Sequence, residues 1–301
     1  MSSSVKAAPA DLPSIELPNR NWQKWLSATV SVLLLAAVAR QLGHLDRAAL
    51  LASIPSGLGF WLALTAYYLA LPASEWIIFR RLWRLPAAGF AALLRKLVSN
   101  EILMGYSGEL SFYGWARRHS KLTAAPFGAI KDVSILSALA GNIATLAMMA
   151  GAWPIVARLH AGLRLGDVAL SIAAVLIVSI AVGLFNRRIF SLPAAQLRFV
   201  LAVHLGRIAA TTLLSGLLWH CALPDVPLTL WFVLAALQLL VTRLPFVPNK
   251  DLVFANAALL IVGAGSDVGR LMAIVAGLIL AIHLLIGLLL AAADLAGQAR
   301  E

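Results

Sequence analysis

The chain has 301 residues, of which 61% are hydrophobic and only 12% are charged, against roughly 25% charged in a soluble domain. That balance excludes a soluble globular fold, since no water-facing domain of this length hides so much apolar surface, and it makes lipid the solvent for most of the chain. The net charge of +11 does not indicate nucleic acid: the basic residues sit at the ends of apolar segments, where they set membrane orientation and meet anionic lipid, and no basic stripe with interleaved aromatics occurs.

Residues 1–21 are polar and proline-containing and read as a disordered cytoplasmic tail rather than a signal peptide. Trp22 and Trp25 open a first span at about 22–39, and Ala48–Ile54 reads as a short surface helix. The second span, about 57–79, carries Pro72 and Glu75 and ends at Arg80, Arg81 and Arg84. Residues 86–99 are too short and too basic to cross a bilayer and suit an interfacial or re-entrant helix. A third span covers about 125–153, a fourth about 166–185 and a fifth about 198–222. Two short apolar arms, 228–242 and 252–264, flank the proline-rich break 244–251 and read as a re-entrant hairpin or broken helices. A last span, about 268–293, holds His283, and 296–301 forms a short cytoplasmic tail. The single cysteine, Cys221, permits no intrachain disulfide, and no zinc or iron–sulfur spacing exists, so no metal or other cofactor is expected.

The expected fold is all-α: a polytopic helical membrane protein with about six to eight spans and re-entrant or broken helices, forming one transmembrane domain over 22–295. The basic loops after the second and fourth spans, with Arg117, Arg118, Arg187 and Arg188 among their cations, belong in the cytoplasm, which places the N-terminus there too.

Two polar interruptions resist explanation by hydrophobicity. Residues 100–118 bring Glu101, Glu109, Arg117 and Arg118 among apolar neighbours, and 244–251 brings Lys250 and Asp251 beside Arg243. Lipid satisfies neither charge nor broken backbone. Corresponding broken segments in two halves of a chain point to a central binding site, with helix starts that Ser107, Ser111, Asn249 and Asp251 can cap. Within the fifth span, Arg207 follows His204 by three residues, so both project from one helix face. A guanidinium there either binds a headgroup phosphate or snorkels to the interface. The plain alternative for 100–118 is a solvated loop in which Glu109 pairs with Arg117 or Arg118. Lys131 and Asp132 read as structural, and His283 as a helix-to-helix hydrogen bond. Gly105-Tyr106-Ser107-Gly108 matches the surroundings of a rhomboid-type serine nucleophile, but the following residues are not the apolar run such a helix needs.

Gly108-Glu109 followed by Tyr113 and Arg117-Arg118, then Lys131-Asp132, then Leu244-Pro245 with Pro248 before a short helix, together resemble the lysylphosphatidylglycerol synthase transmembrane-region family of flippase-like membrane proteins. The resemblance runs over about 22–293. It implies a helical bundle that moves or accommodates a lipid between leaflets, without the cytosolic aminoacyl-transferase domain that some members carry. One departure stands out: where the family has glycines and a glutamate after the second proline, this chain has Asn249, Lys250 and Asp251, and Lys250 adds a cation that suits an anionic lipid.

The resulting expectation is a non-enzymatic inner-membrane lipid translocation protein. Its headgroup site would comprise Glu109, Arg117, Arg118, Arg207, Arg243, Lys250 and Asp251, and its partner would be an anionic membrane lipid and not nucleic acid. A second copy of the chain or a partner membrane protein is left open. The alternatives are a non-transporting scaffold or accessory subunit of a lipid or polysaccharide assembly, and an intramembrane protease.

Overall fold

The structure, a computed structural model, describes residues 54–102, 107–119, 126–158, 190–244, 247–263 and 265–298. Among these residues there are eight α-helices and no strand: α1 (Leu58–Trp83), α2 (Ala88–Ile102), α3 (Ser107–His119), α4 (Pro126–Arg158), α5 (Ala194–Ala222), α6 (Leu228–Val241), α7 (Lys250–Val262) and α8 (Asp267–Gln298). The expected first and fourth spans, nearly all of the surface helix at 48–54, and the N-terminal tail lie outside the described residues. The last helix runs on to Gln298, into the segment expected to be tail.

Among the described residues four helices are long and apolar enough to cross a membrane: α1, the Phe127–Ala152 part of α4, α5, and the Asp267–Leu290 part of α8. The protein is therefore a helical membrane protein. Lipid-facing leucines stay exposed on α5 (Leu213, Leu217) and α8 (Leu284, Leu285, Leu288, Leu289). The inner faces bury Phe60, Leu64, Trp219, Trp231 and Met272 in one core, and Ile78, Phe79, Leu93 and Phe112 in a second. The helix ends follow dipole logic. Arg80 and Arg81 occupy the last turn of α1, where the carbonyls carry partial negative charge, and Arg84 closes it in the left-handed region with its N–H on the Arg80 carbonyl. At the start of α8 the Ser266 hydroxyl accepts the Gly269 N–H, so the glycine-rich run 263–269 serves as a helix cap.

The other four helices have 15, 13, 14 and 13 residues, or about 20–23 Å each at 1.5 Å per residue, well short of a hydrocarbon core of about 30 Å. They form two hairpins. α6 and α7 pack on each other and against α4, α5 and α8; α2 and α3 pack on each other, with α2 against α1 and α8. Most of the stretch 100–118, expected to be an irregular polar break, is the regular helix α3. Its start is fixed by α2. The Asn100 side-chain oxygen accepts the Gly108 N–H at 2.7 Å, and the Ser107 hydroxyl donates to the Ser99 carbonyl at 2.8 Å. Phe112 and Ala116, one turn apart, are buried beneath.

Asp132, fully buried near the start of α4, accepts the Ser191 and Leu192 N–H groups at 2.6 and 2.8 Å and so anchors the approach to α5. This bears out the structural reading of that residue.

A Cβ at Gly108 would collide with the Lys96 backbone carbonyl, which has no side chain to swing aside. Gly108→Val is expected to part the α2–α3 hairpin and to cost about 1–3 kcal/mol, the usual scale of overpacking, measured as a lowered melting temperature in detergent. Unchanged melting would contradict the close approach.

Candidate functional site

Four spans each contribute polar groups from their central halves: Tyr67, Tyr68 and Glu75 from α1; Ser137 and Thr145 from α4; His204, Arg207 and Ser215 from α5; His283 from α8. The tips of both hairpins meet these groups. The α6–α7 tip reaches α1 directly, where the Tyr67 hydroxyl donates to Asp251 Oδ1 at 3.3 Å.

The two tips also bond to each other. The Asn249 N–H donates to the Glu101 backbone carbonyl at 2.9 Å, and the Lys250 N–H donates to Glu101 Oε2 at 3.3 Å. Asn249 holds φ 49°, a left-handed conformation that asparagine tolerates, and its side chain makes no cap bond to α7. The expected side-chain cap is thus absent, and the residue's role is carried by its backbone. Asp251 lies in the first turn of α7, at the positive end of the helix dipole, and Arg243 lies just past the end of α6, at its negative end.

Between α1, α2 and α3 lies a buried charge triad. The Lys96 ammonium, 4% exposed, contacts Glu75 Oε1 and pairs with Glu109 Oε1 at 3.3 Å. Glu109 is therefore held by a lysine from α2; the alternative partners suggested by the sequence were Arg117 and Arg118. The backbones of those two arginines lie in α3, and their side chains fall outside the described residues. Glu109 Oε2 is buried with no hydrogen-bond partner among the described residues.

Arg207 reaches α4, donating to Ser137 Oγ at 3.3 Å, while its Nε is buried without a hydrogen-bond partner. It makes no ion pair with a described carboxylate, and His204 on the same face is wholly buried. Arg243 reaches the same stretch of α4. Its guanidinium bonds Thr242 Oγ1 and the Ala138 carbonyl, and it lies against Gly141, where a Cβ would collide with it. Gly141 is thus a small-residue contact, and what it admits is a charged side chain. One turn further on, the buried Thr145 hydroxyl has no partner in the structure.

Of the seven residues expected to form a headgroup site, Arg207, Arg243, Lys250, Asp251 and Glu109 all join the cluster, through partners the sequence reading did not assign. Glu101, Lys96, Glu75, Tyr67 and Gln238 were missed. Glu75 carried a readable signal, as a carboxylate within an apolar run; Lys96, beside Arg95 in a basic segment, and Tyr67 and Gln238 carried none. Ser107, the nucleophile of the protease reading, is committed to the Ser99 carbonyl, and His283 makes the expected helix-to-helix bond, its Nδ1 lying 2.8 Å from the Tyr68 hydroxyl. Among the described residues no group of three or more His, Cys, Asp or Glu side chains could hold a metal ion.

No family model, no curated protein and no solved structure matches the chain.

Removing one member of a buried ion group leaves its partner's charge uncompensated, at about 3–5 kcal/mol. Lys96→Met is expected to destabilise on that scale. Lys96→Met combined with Glu75→Gln should recover part of the loss, because Glu75 no longer carries an unpaired charge. Additive losses in a melting-temperature cycle would contradict the triad.

Proposed function

We propose that the protein translocates a membrane lipid by admitting its polar headgroup to the charge cluster at mid-depth, with the phosphate bound by Arg207 and Arg243. The observation that carries this reading is the placement of the cluster: charges from two meeting hairpin tips gather in the central halves of four spans, where charge is costly and marks a pathway or binding site. Arg207 Nε and the Thr145 hydroxyl are buried donors with no hydrogen-bond partner among the described residues, and a phosphate accepts from both kinds of group.

The described conformation is closed. The cavity beside Asp251 has a volume of about 10 Å³, room for about one water, so headgroup entry requires the tips to part. We place the protein in the inner (plasma) membrane with its basic loops and N-terminus on the cytoplasmic side, following the positive-inside rule. The resemblance to flippase-like membrane proteins adds to this reading through Gly108-Glu109, Tyr113 and Leu244-Pro245. The closure and the internal pairing of Lys96 with two carboxylates favour a second reading, a non-transporting accessory subunit, whose mark would be absence of lipid movement by the purified protein.

In proteoliposomes carrying a fluorescent phospholipid, the native chain is expected to accelerate movement between leaflets, and Arg207→Gln or Arg243→Gln to slow it at least tenfold with the fold intact by circular dichroism. No acceleration by the native chain supports the accessory reading, and full activity in both variants removes the proposed phosphate site.

A further inference from the structure

The water-sized cavity at the start of α7 bears on what drives such movement. Its polar wall is Tyr67, Ser215, Gln238 and Asp251, one residue from each of α1, α5, α6 and α7, and its apolar wall includes Trp219 and Met272. The polar groups form a chain. The Ser215 hydroxyl donates to Gln238 Oε1 at 2.9 Å, Gln238 Nε2 donates to the Tyr67 hydroxyl at 3.0 Å, and that hydroxyl donates to Asp251 Oδ1 at 3.3 Å. Every donor points toward Asp251, as an ionised carboxylate requires.

That carboxylate has no cationic side chain within ion-pair distance among the described residues. The adjacent Lys250 ammonium turns instead to the Thr242 carbonyl at 3.1 Å. A buried carboxylate beside an apolar wall, with the start of the α7 dipole and a lysine turned elsewhere as its nearest positive charge, lacks an ion-pair partner that its surroundings favour.

We propose that Asp251, Tyr67, Gln238 and Ser215 bind one sodium ion, which supplies the missing positive charge. The inference rests on the translocation reading and names its coupling ion. One carboxylate with three neutral oxygens is the donor set of a hard, singly charged cation; a divalent ion would be left with excess charge in a dry site. The polar atoms already stand 2.9–3.3 Å apart, close enough to converge on a small ion, whereas potassium would force them outward. Ser215 has a second acceptor in the Thr211 carbonyl at 2.9 Å, so its oxygen can turn to a cation without losing a hydrogen bond. Gln238 lies in the last turn of α6, whose C-terminus carries partial negative charge, and broken-helix ends of this kind hold coupling cations in transporters.

The test uses the purified full chain in lipid nanodiscs at constant pH and ionic strength, with sodium chloride replacing choline chloride and tryptophan fluorescence as readout. A saturable change is expected that weakens at least tenfold with potassium, disappears in Trp219→Phe, is lost in Asp251→Asn and weakens about tenfold in Ser215→Ala. The last variant keeps the test open should Asp251→Asn fail to fold. Equal responses to sodium, potassium and choline overturn the site. A response that follows pH and ignores sodium overturns it in favour of a proton on the same carboxylate. Lipid movement that persists in choline but is lost in Arg207→Gln would remove the cation and leave the translocation reading standing.

Discussion

The contact of Glu101 with Asn249 and Lys250 is the interaction around which the rest of the molecule is arranged. It joins the tips of two hairpins, each built from helices too short to cross a bilayer. Helix ends leave backbone groups without intrahelical partners, and hydrocarbon offers no water to satisfy them. Each tip solves part of the other's problem: a carbonyl from one accepts an N–H from the other at 2.9 Å, and a side-chain carboxylate takes the next N–H. Charge then follows broken backbone to the same depth, because Asp251 and Arg243 are drawn to the helix ends of opposite polarity.

Much of this architecture was legible in the chain. Long apolar runs announced α1, α4, α5 and α8, and the basic residues at their margins fixed several of the boundaries. The shortness of the arms around Pro245 and Pro248 announced the second hairpin. The first was half-read. Lipid exposure makes hydrophobicity a poor guide once a helix packs on protein, so α3, with Ser107, Glu109 and the Arg117-Arg118 pair, looked like irregular chain. What makes it helical is the docking of Gly108 on the Lys96 carbonyl and the bond from Asn100, contacts between segments that no local pattern encodes.

The site was legible in its charges and illegible in its pairings. A lone arginine in an apolar run signals a polar centre, and Arg207 is legible that way; Lys250 and Asp251 are legible from the proline-rich break that holds them. Which charges neutralise one another depends on which helices touch. Lys96 takes Glu109, since α2 turns it inward against α1, where it also meets Glu75. Tyr67 and Gln238 are ordinary residues for an apolar helix, and only their meeting at Asp251 gives them a role.

The central claim is that the two tips touch within the bilayer. The most direct measurement is a cysteine pair at Glu101 and Lys250, in a chain carrying Cys221→Ser, oxidised in native membranes. The account predicts a disulfide in high yield, and reduced thiols that resist a membrane-impermeant maleimide from either side. Failure of the pair to cross-link, with both thiols labelled readily from the aqueous phase, would contradict it.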